Sequence, residues 1–286
     1  MKIIIISILL LETLMFQSGC TKKDGIDKID ESGGNIIELT PTPRGTNTSR
    51  PTETPNPTEF PTPTEKVEKT PAPVTNVYEA VNRLNISSKA SHVFIVVQKG
   101  NTVKCDFYAF AKKGDSFKSI FHVEGVVGKN GIKGKEEKVE GDYSTPDGVY
   151  TFGRCFGIKD GSNFSPLGYT VVDENDYWDS NPESKTYNQW VKEEDLPKNV
   201  DKSKYEHLIS QKELYNYVAE INYNVNPVVK GKGSAIFLHC TRVNSNYTAG
   251  CVAIPEEYMI QALKMVYKDS YIVIVKSFSD LLSYVN

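Results

Sequence analysis

From about residue 76 onward, short apolar runs alternate with polar turns, the pattern of a chain built mainly from strands. His92–Gln98 (HVFIVVQ) reads as a strand, Lys99-Gly100-Asn101 as a tight turn and Val103–Lys112 as the hairpin partner. Ser116–Val127 alternates apolar and polar side chains, as a half-buried strand does, and His122 within it reads as a structural or surface residue. Pro146-Asp147-Gly148 is a turn, since Pro presets φ and Gly accepts a positive one, and it opens a strand at Val149–Phe152. Leu167–Val172, the apolar run Ala235–Leu238, Val252–Ile254 and Tyr271–Val275 (YIVIV) complete the expected strands.

Helices are few in this reading. Asn76–Leu84 and Gln211–Ile221 are expected to be helical, with His207 a loop or capping residue before the second. Pro255-Glu256-Glu257 is a helix start, with acids at the positive end of the dipole, and Met259, Ile260, Leu263 and Val266 recur at helical spacing through Lys268. Gly128–Glu140, rich in Gly and Lys, reads as an exposed loop. Asp173–Lys192 is polar yet carries Tyr177, Trp178, Tyr187 and Trp190; such a segment is either a lid or binding surface, or a long loop pinned by its rings. The sum is a mainly β domain with two or three helices over residues 76–286.

The front of the chain follows other rules. Residues 1–20 place a Lys before an apolar stretch and end in Ser18-Gly19-Cys20, a secretory layout that resembles a bacterial lipoprotein signal, with Cys20 the lipidated residue. The apolar run is short for a membrane span of about 20 residues. Residues 21–75 are expected to be a disordered linker: nine of the fifteen prolines and ten threonines fall within 40–73, and so few apolar side chains cannot offset the entropy of ordering that backbone. A Pro/Thr chain favours extended conformations, so the linker is a spacer whose reach is on the order of 150 Å.

Composition narrows the function. The net charge of −3 offers no basic stripe for nucleic acid. Besides Cys20 there are Cys105, Cys155, Cys240 and Cys251. Cys105 and Cys155 lie inside apolar patterns and read as packed thiols, and no obligatory disulfide framework is expected. The candidate chemistry lies in GSAIFLHCTRVNSNYTAGCVAIP: an apolar strand runs into His239, and a polar loop returns through Thr248-Ala249-Gly250 to Cys251. A thiol attacks as thiolate, and an imidazole beside it can take the proton. The amides of Gly250 and Cys251 are candidate oxyanion donors. The plainer reading is a packed His and an inert buried Cys. A zinc site using His239, Cys240 and Cys251 lacks both a CxxC pair and a second His. The context favours a cysteine acyl-transfer site.

Four stretches, STPDGVYTFG, DYWDSNPESKTYNQWV, NYNVNPVVKGKGSAIFLH and TAGCVAIP, together resemble the L,D-transpeptidase (YkuD-type) catalytic domain over roughly residues 90–275. The resemblance implies a β-sandwich fold and a cofactor-free enzyme that cross-links peptidoglycan stem peptides. It assigns Cys251 as nucleophile, His239 as base, and Gly250 and Thr248 as oxyanion or turn support. On the binding-surface reading of the aromatic segment, Tyr187, Trp190, Tyr177 and Trp178 are the candidate substrate contacts. Three positions depart from the family pattern: Cys240 stands where a Gly commonly follows the His, Ala253 where an Arg is common, and the His-to-Cys loop is short. The same pair could pass the acyl group to water, as an L,D-carboxypeptidase, and a wall-binding module would need no reactive thiol. The full expectation is an exported monomer, lipid-anchored to the membrane and facing the cell wall.

Overall fold

The computed structural model describes residues 72–242 and 246–286. The expected signal segment 1–20, Cys20 and nearly all of the 21–75 linker therefore lie outside the described residues. A short helix α1 (Val77–Ala80) is capped by the Asn76 side chain. It precedes three long antiparallel strands, β1 (His92–Gln98), β2 (Lys104–Lys113) and β3 (Ser116–Val126). Next come β4 (Ile132–Lys133), β5 (Thr145–Pro146), β6 (Gly148–Gly157), β7 (Thr170–Val171), β8 (Asp176–Asp179), β9 (Gln189–Lys192) and β10 (Tyr205–His207). The last stretch holds β11 (Val218–Ile221), β12 (Phe237–Cys240), β13 (Val252–Ile254), α2 (Glu256–Leu263), β14 (Ser270–Val275) and α3 (Phe278–Leu281).

Nine strands make one mixed sheet in the order β11-β12-β13-β3-β2-β1-β14-β6-β7, and β11 also pairs with β6, which closes the sheet on itself. The two layers of the core are thus opposite walls of a single sheet. Closure buries the inner face and a second cluster covers the outer face of β1 and β14, which explains their continuous apolar runs, because strands covered on both faces need apolar side chains at every position. Phe94 and Val96 of β1 and Ile272 and Ile274 of β14 face the inner core with Phe107, Leu238 and Val252. Their alternates Val93, Ile95, Val273 and Val275 face an outer cluster with α1 and Leu281. Helix α2 contributes Met259, Ala262 and Leu263 to the inner core.

Several expectations change. Asp173–Lys192 is no mere loop: β8 and β9 pair within it and join β10 in a three-stranded antiparallel sheet. The expected helix over Gln211–Ile221 is a kinked 3-10 segment, Leu208–Tyr215, followed by β11. Val218 and Ala219 are needed in β11 for pairing with both β12 and β6, and that demand overrides local helical preference. The strand expected at Ala235–Leu238 runs from Phe237 to Cys240 instead, because Ala235 has φ 53° and cannot continue a ladder. Leu167–Val172 keeps only two strand residues, and α2 ends at Leu263 instead of reaching Lys268. Gly128–Glu140 is not uniformly exposed: Ile132 and Lys138 are buried, and Lys138 Nζ lies 2.6 Å from Asp142. Cys105 and Cys155 are buried free thiols, as are Cys240 and Cys251. His122 is a surface residue, stacked on Tyr108 and hydrogen-bonded to Asp106.

Phe94 is fully buried and its ring meets both Phe107 and Phe152. Phe94→Ala is expected to cost about 3–5 kcal/mol. Equilibrium urea unfolding checks it, as a lower midpoint at unchanged m.

Candidate functional site

Strand alternation decides which residues of β12 and β13 share a face. Leu238 and Cys240 point into the inner core with Val252 and Ile254. Phe237 and His239 therefore point the other way, and Phe237 joins Phe156, Trp178, Leu208, Tyr215, Val218 and Cys251 in a separate cluster. The two strands run parallel with His239 opposite Ala253, which sets Cys251 beside Phe237 and diagonal to His239 on one sheet face. Both side chains are nearly buried, at 4% and 6% exposure.

Hydrogen bonds fix each group separately. His239 Nδ1 lies 2.8 Å from the Cys240 carbonyl oxygen. A carbonyl only accepts, so Nδ1 carries the proton and Nε2 keeps its lone pair. The Cys251 thiol donates to the Ala235 carbonyl at 3.2 Å, and the Phe237 amide donates to the sulfur at 3.4 Å. No hydrogen bond joins the imidazole to the thiol. Burial pushes the Cys251 thiol up to about 12, and a nearby Glu206 charge adds to the shift. Burial likewise holds His239 down to about 4, only partly opposed by its bond to Cys240. At rest the pair is neutral on both sides.

The turn at the thiol is clamped from below. The Cys251 carbonyl accepts from the hydroxyls of Thr248, at 2.6 Å, and Thr145, at 3.0 Å. Thr145 brings the TPDG turn against the Cys251 backbone, which gives that stretch a structural purpose at the site. The Gly250 amide donates to the Thr248 hydroxyl at 3.1 Å, so it is engaged within the turn and not free to face the cavity. Gly250 has φ 149°, and a Cβ there would sit 3.0 Å from the Ser144 carbonyl oxygen. The turn thus demands glycine on both counts.

Two cavities meet at Cys251. The larger, about 430 Å³, lies between the 138–143 loop and strand β10. The smaller, about 140 Å³, contains His239, Thr241 and Ala253. Glu206, Gln211, Tyr215 and Ala249 border both. Tyr215 donates to Glu206 at 2.9 Å, and its ring meets the His239 ring edge-on at 5.4 Å. Burial raises the Glu206 carboxyl to about 7.

The four aromatic residues expected to touch substrate border neither cavity. Trp178 packs on Phe237 and Trp190 on Phe156, both edge-on. Tyr187 is buried with its hydroxyl on Glu140, and Tyr177 stacks on His207. Their rings pin the three-stranded sheet to the body. Sequence reasoning missed Glu206, Tyr215, Thr145 and Asn188. The last has its side chain bonded to Trp178, the Tyr223 and Asn224 carbonyls and the Ala235 amide. It thereby holds Ala235 in the conformation that turns its carbonyl to the thiol. Thr145 alone had a legible signal, since it lies in the turn motif already singled out.

A closed β sheet with a thiol and an imidazole on one outer face, open to two joined cavities, defines a β-scaffold protein of the cysteine–histidine kind. The family model of the YkuD L,D-transpeptidase catalytic domain matches residues 82–275, and the chain belongs to that family. Among solved structures it is similar to Bdellovibrio bacteriovorus Bd1075, with TM-score 0.35 and 14% identity over 71% of this chain and 57% of that one. An L,D-transpeptidase from Mycobacterium smegmatis gives TM-score 0.30 and 11% identity over 65% and 59% of the two chains. One from Stackebrandtia nassauensis gives 0.29 and 14% over 66% and 57%. The chain thus spans less than two thirds of the length of each. No curated protein matches it.

The neutral resting pair makes a pH prediction. Because the thiol is raised, iodoacetamide labelling of Cys251, followed by peptide mass mapping, should climb with pH without levelling below about pH 9. A plateau of labelling between about pH 5 and 7 would instead reveal a thiolate–imidazolium pair.

Proposed function

We propose that this chain is an exported, monomeric L,D-transpeptidase that cross-links peptidoglycan stem peptides through an acyl-enzyme on Cys251. The observation that carries the reading is the thiol's position at the junction of two cavities, on the same sheet face as an imidazole with a free Nε2. A reaction between two peptides needs two approaches to one nucleophile.

In this mechanism donor binding displaces the thiol from the Ala235 carbonyl, and Sγ gives its proton to His239 Nε2. The thiolate attacks the carbonyl carbon of the third stem residue. Its oxygen takes the negative charge facing the Cys251 amide, since the Gly250 amide is engaged by Thr248. Collapse breaks the amide bond, and the departing D-alanine amine receives the proton from His239. An amine of a second stem then attacks the thioester and returns the sulfur as thiol. No step calls for a metal or an organic cofactor. Residues 1–20 support export with lipidation at Cys20, and the Thr/Pro stretch to residue 75 gives the domain reach from a membrane toward the wall.

Incubation of the purified protein with disaccharide tetrapeptide monomers, read by mass spectrometry, tests the reading. Cross-linked dimers and free D-alanine are expected. Cys251→Ala should abolish both, and His239→Gln should slow both by at least about a hundredfold. Tripeptide without dimer would assign a carboxypeptidase. Persistence of dimer formation in Cys251→Ala would refute the nucleophile.

A further inference from the structure

The mechanism above leaves one charged group at the junction without a role. Glu206 lies on β10, an edge strand of the small sheet, and borders both cavities along with Cys251. Tyr215 donates to one of its carboxyl oxygens, and among the described residues no other hydrogen bond or ion pair engages the carboxyl. Lys204, two residues before it in the turn that precedes β10, also borders the larger cavity, yet makes no ion pair with it. Across that cavity, Lys138 is committed to Asp142, and Glu140 accepts from Ser234 and Tyr187. The His207 ring is turned aside, onto Tyr177, Ser210 and the Glu174 carbonyl. A carboxylate so placed, half-buried and with spare acceptor capacity, is poised for a cation that enters from solvent.

The proposed reaction supplies such a cation. A primary amine acceptor is an ammonium ion at neutral pH and must lose a proton before it can attack. His239 is poorly suited to that first deprotonation: it borders only the smaller cavity, and burial makes it a weak base. We propose that Glu206 is a further catalytic residue, which binds the acceptor ammonium beside Cys251 and removes its proton before attack on the thioester. This rests on the transpeptidase reading. The ammonium gives one proton to the Glu206 carboxylate, and the amine nitrogen forms its bond to the acyl carbon as the carbon–sulfur bond breaks. The second proton leaves the new amide nitrogen through His239 to the departing sulfur, which ends as a thiol. Glu206 then releases its proton to water in the larger cavity. Its elevated basicity brings it closer to the amine than an ordinary carboxylate, as base catalysis near neutral pH requires.

The experiment separates the two half-reactions on the full-length protein. A tripeptide thioester donor, activated at the third stem residue, loads Cys251 with release of its thiol, followed by mass spectrometry, and glycinamide then serves as the acceptor. In Glu206→Gln, loading should match or exceed the wild-type rate, because a charge that holds the thiol protonated is gone. Aminolysis at about pH 7.5 should fall by at least about tenfold and lose the inflection near neutral pH that the wild type shows. Tyr215→Phe, which frees the carboxyl without removing it, should show a smaller loss in the same half-reaction only. Thermal melting establishes that both variants fold. Unchanged aminolysis in Glu206→Gln, or loading and aminolysis reduced by the same factor, overturns the assignment while leaving the transpeptidase reading intact. Failure of the wild type to load at Cys251 overturns both.

Discussion

Burial without charge is the constraint on which this site turns. A thiol and an imidazole set into the outer face of a sheet are cheapest when both are neutral, and each finds a backbone carbonyl to hold its proton. The thiol's proton must leave the Ala235 carbonyl before the pair can work. The surrounding residues are arranged around that fact. Asn188 fixes Ala235 in a left-handed conformation that a non-glycine residue adopts at a cost of about 1–2 kcal/mol, while Thr145 and Thr248 hold the Cys251 backbone still. The strain is retained where the sulfur is held, which is where a protein keeps strain when the surroundings over-determine the conformation.

The sheet makes this possible by closing. β12 is paired with β11 on one side and β13 on the other, and β11 is in turn paired with β6, so the strand that carries His239 has no open edge and is held from both sides. The outer face would still be wet if nothing covered it. The β8–β9–β10 sheet and the 3-10 segment after it supply the cover, placing Trp178, Leu208 and Tyr215 over Phe237. The same cover raises the Glu206 carboxyl and depresses His239. The unusual ionisation of the site is thus a product of the fold's second layer, not of the Cys and His themselves.

How much of this could be read from the chain depends on where the information sits. β1, β13 and β14 were legible because apolar runs bounded by turn residues are local signals, and the structure reproduces them to within a residue. The Cys251–His239 juxtaposition was legible as a spacing, and the structure brings the two onto one face. β8 and β9 were hidden because both faces of their small sheet are packed partly through polar partners, such as Asp176 with Trp190 and Asp179 with Thr186. Those pairings leave no period-two apolar pattern to find. Ala235 was hidden for another reason: its backbone is dictated by Asn188, which lies 47 positions away. Glu206 was invisible because a lone acid in a polar stretch is ordinarily solvated, and only its Tyr215 partner and the cavity wall distinguish it.

Glu206 and His239 also pull the pH response of the folded state in opposite directions. The folded pKa of His239 lies below its unfolded value near 6.5, so the unfolded chain binds more protons and stability from this group falls as pH drops toward about 4. Glu206 is raised from 4.5 to about 7, so here the folded state binds more protons, and its contribution falls as pH rises through that window. The two windows overlap, and across the overlap the gain from one group offsets the loss from the other. A single buried titratable group at the junction would tie the fold's stability steeply to pH. Two of opposite sign keep the site ionisable, as proton transfer requires, while leaving the scaffold comparatively indifferent to the pH around it.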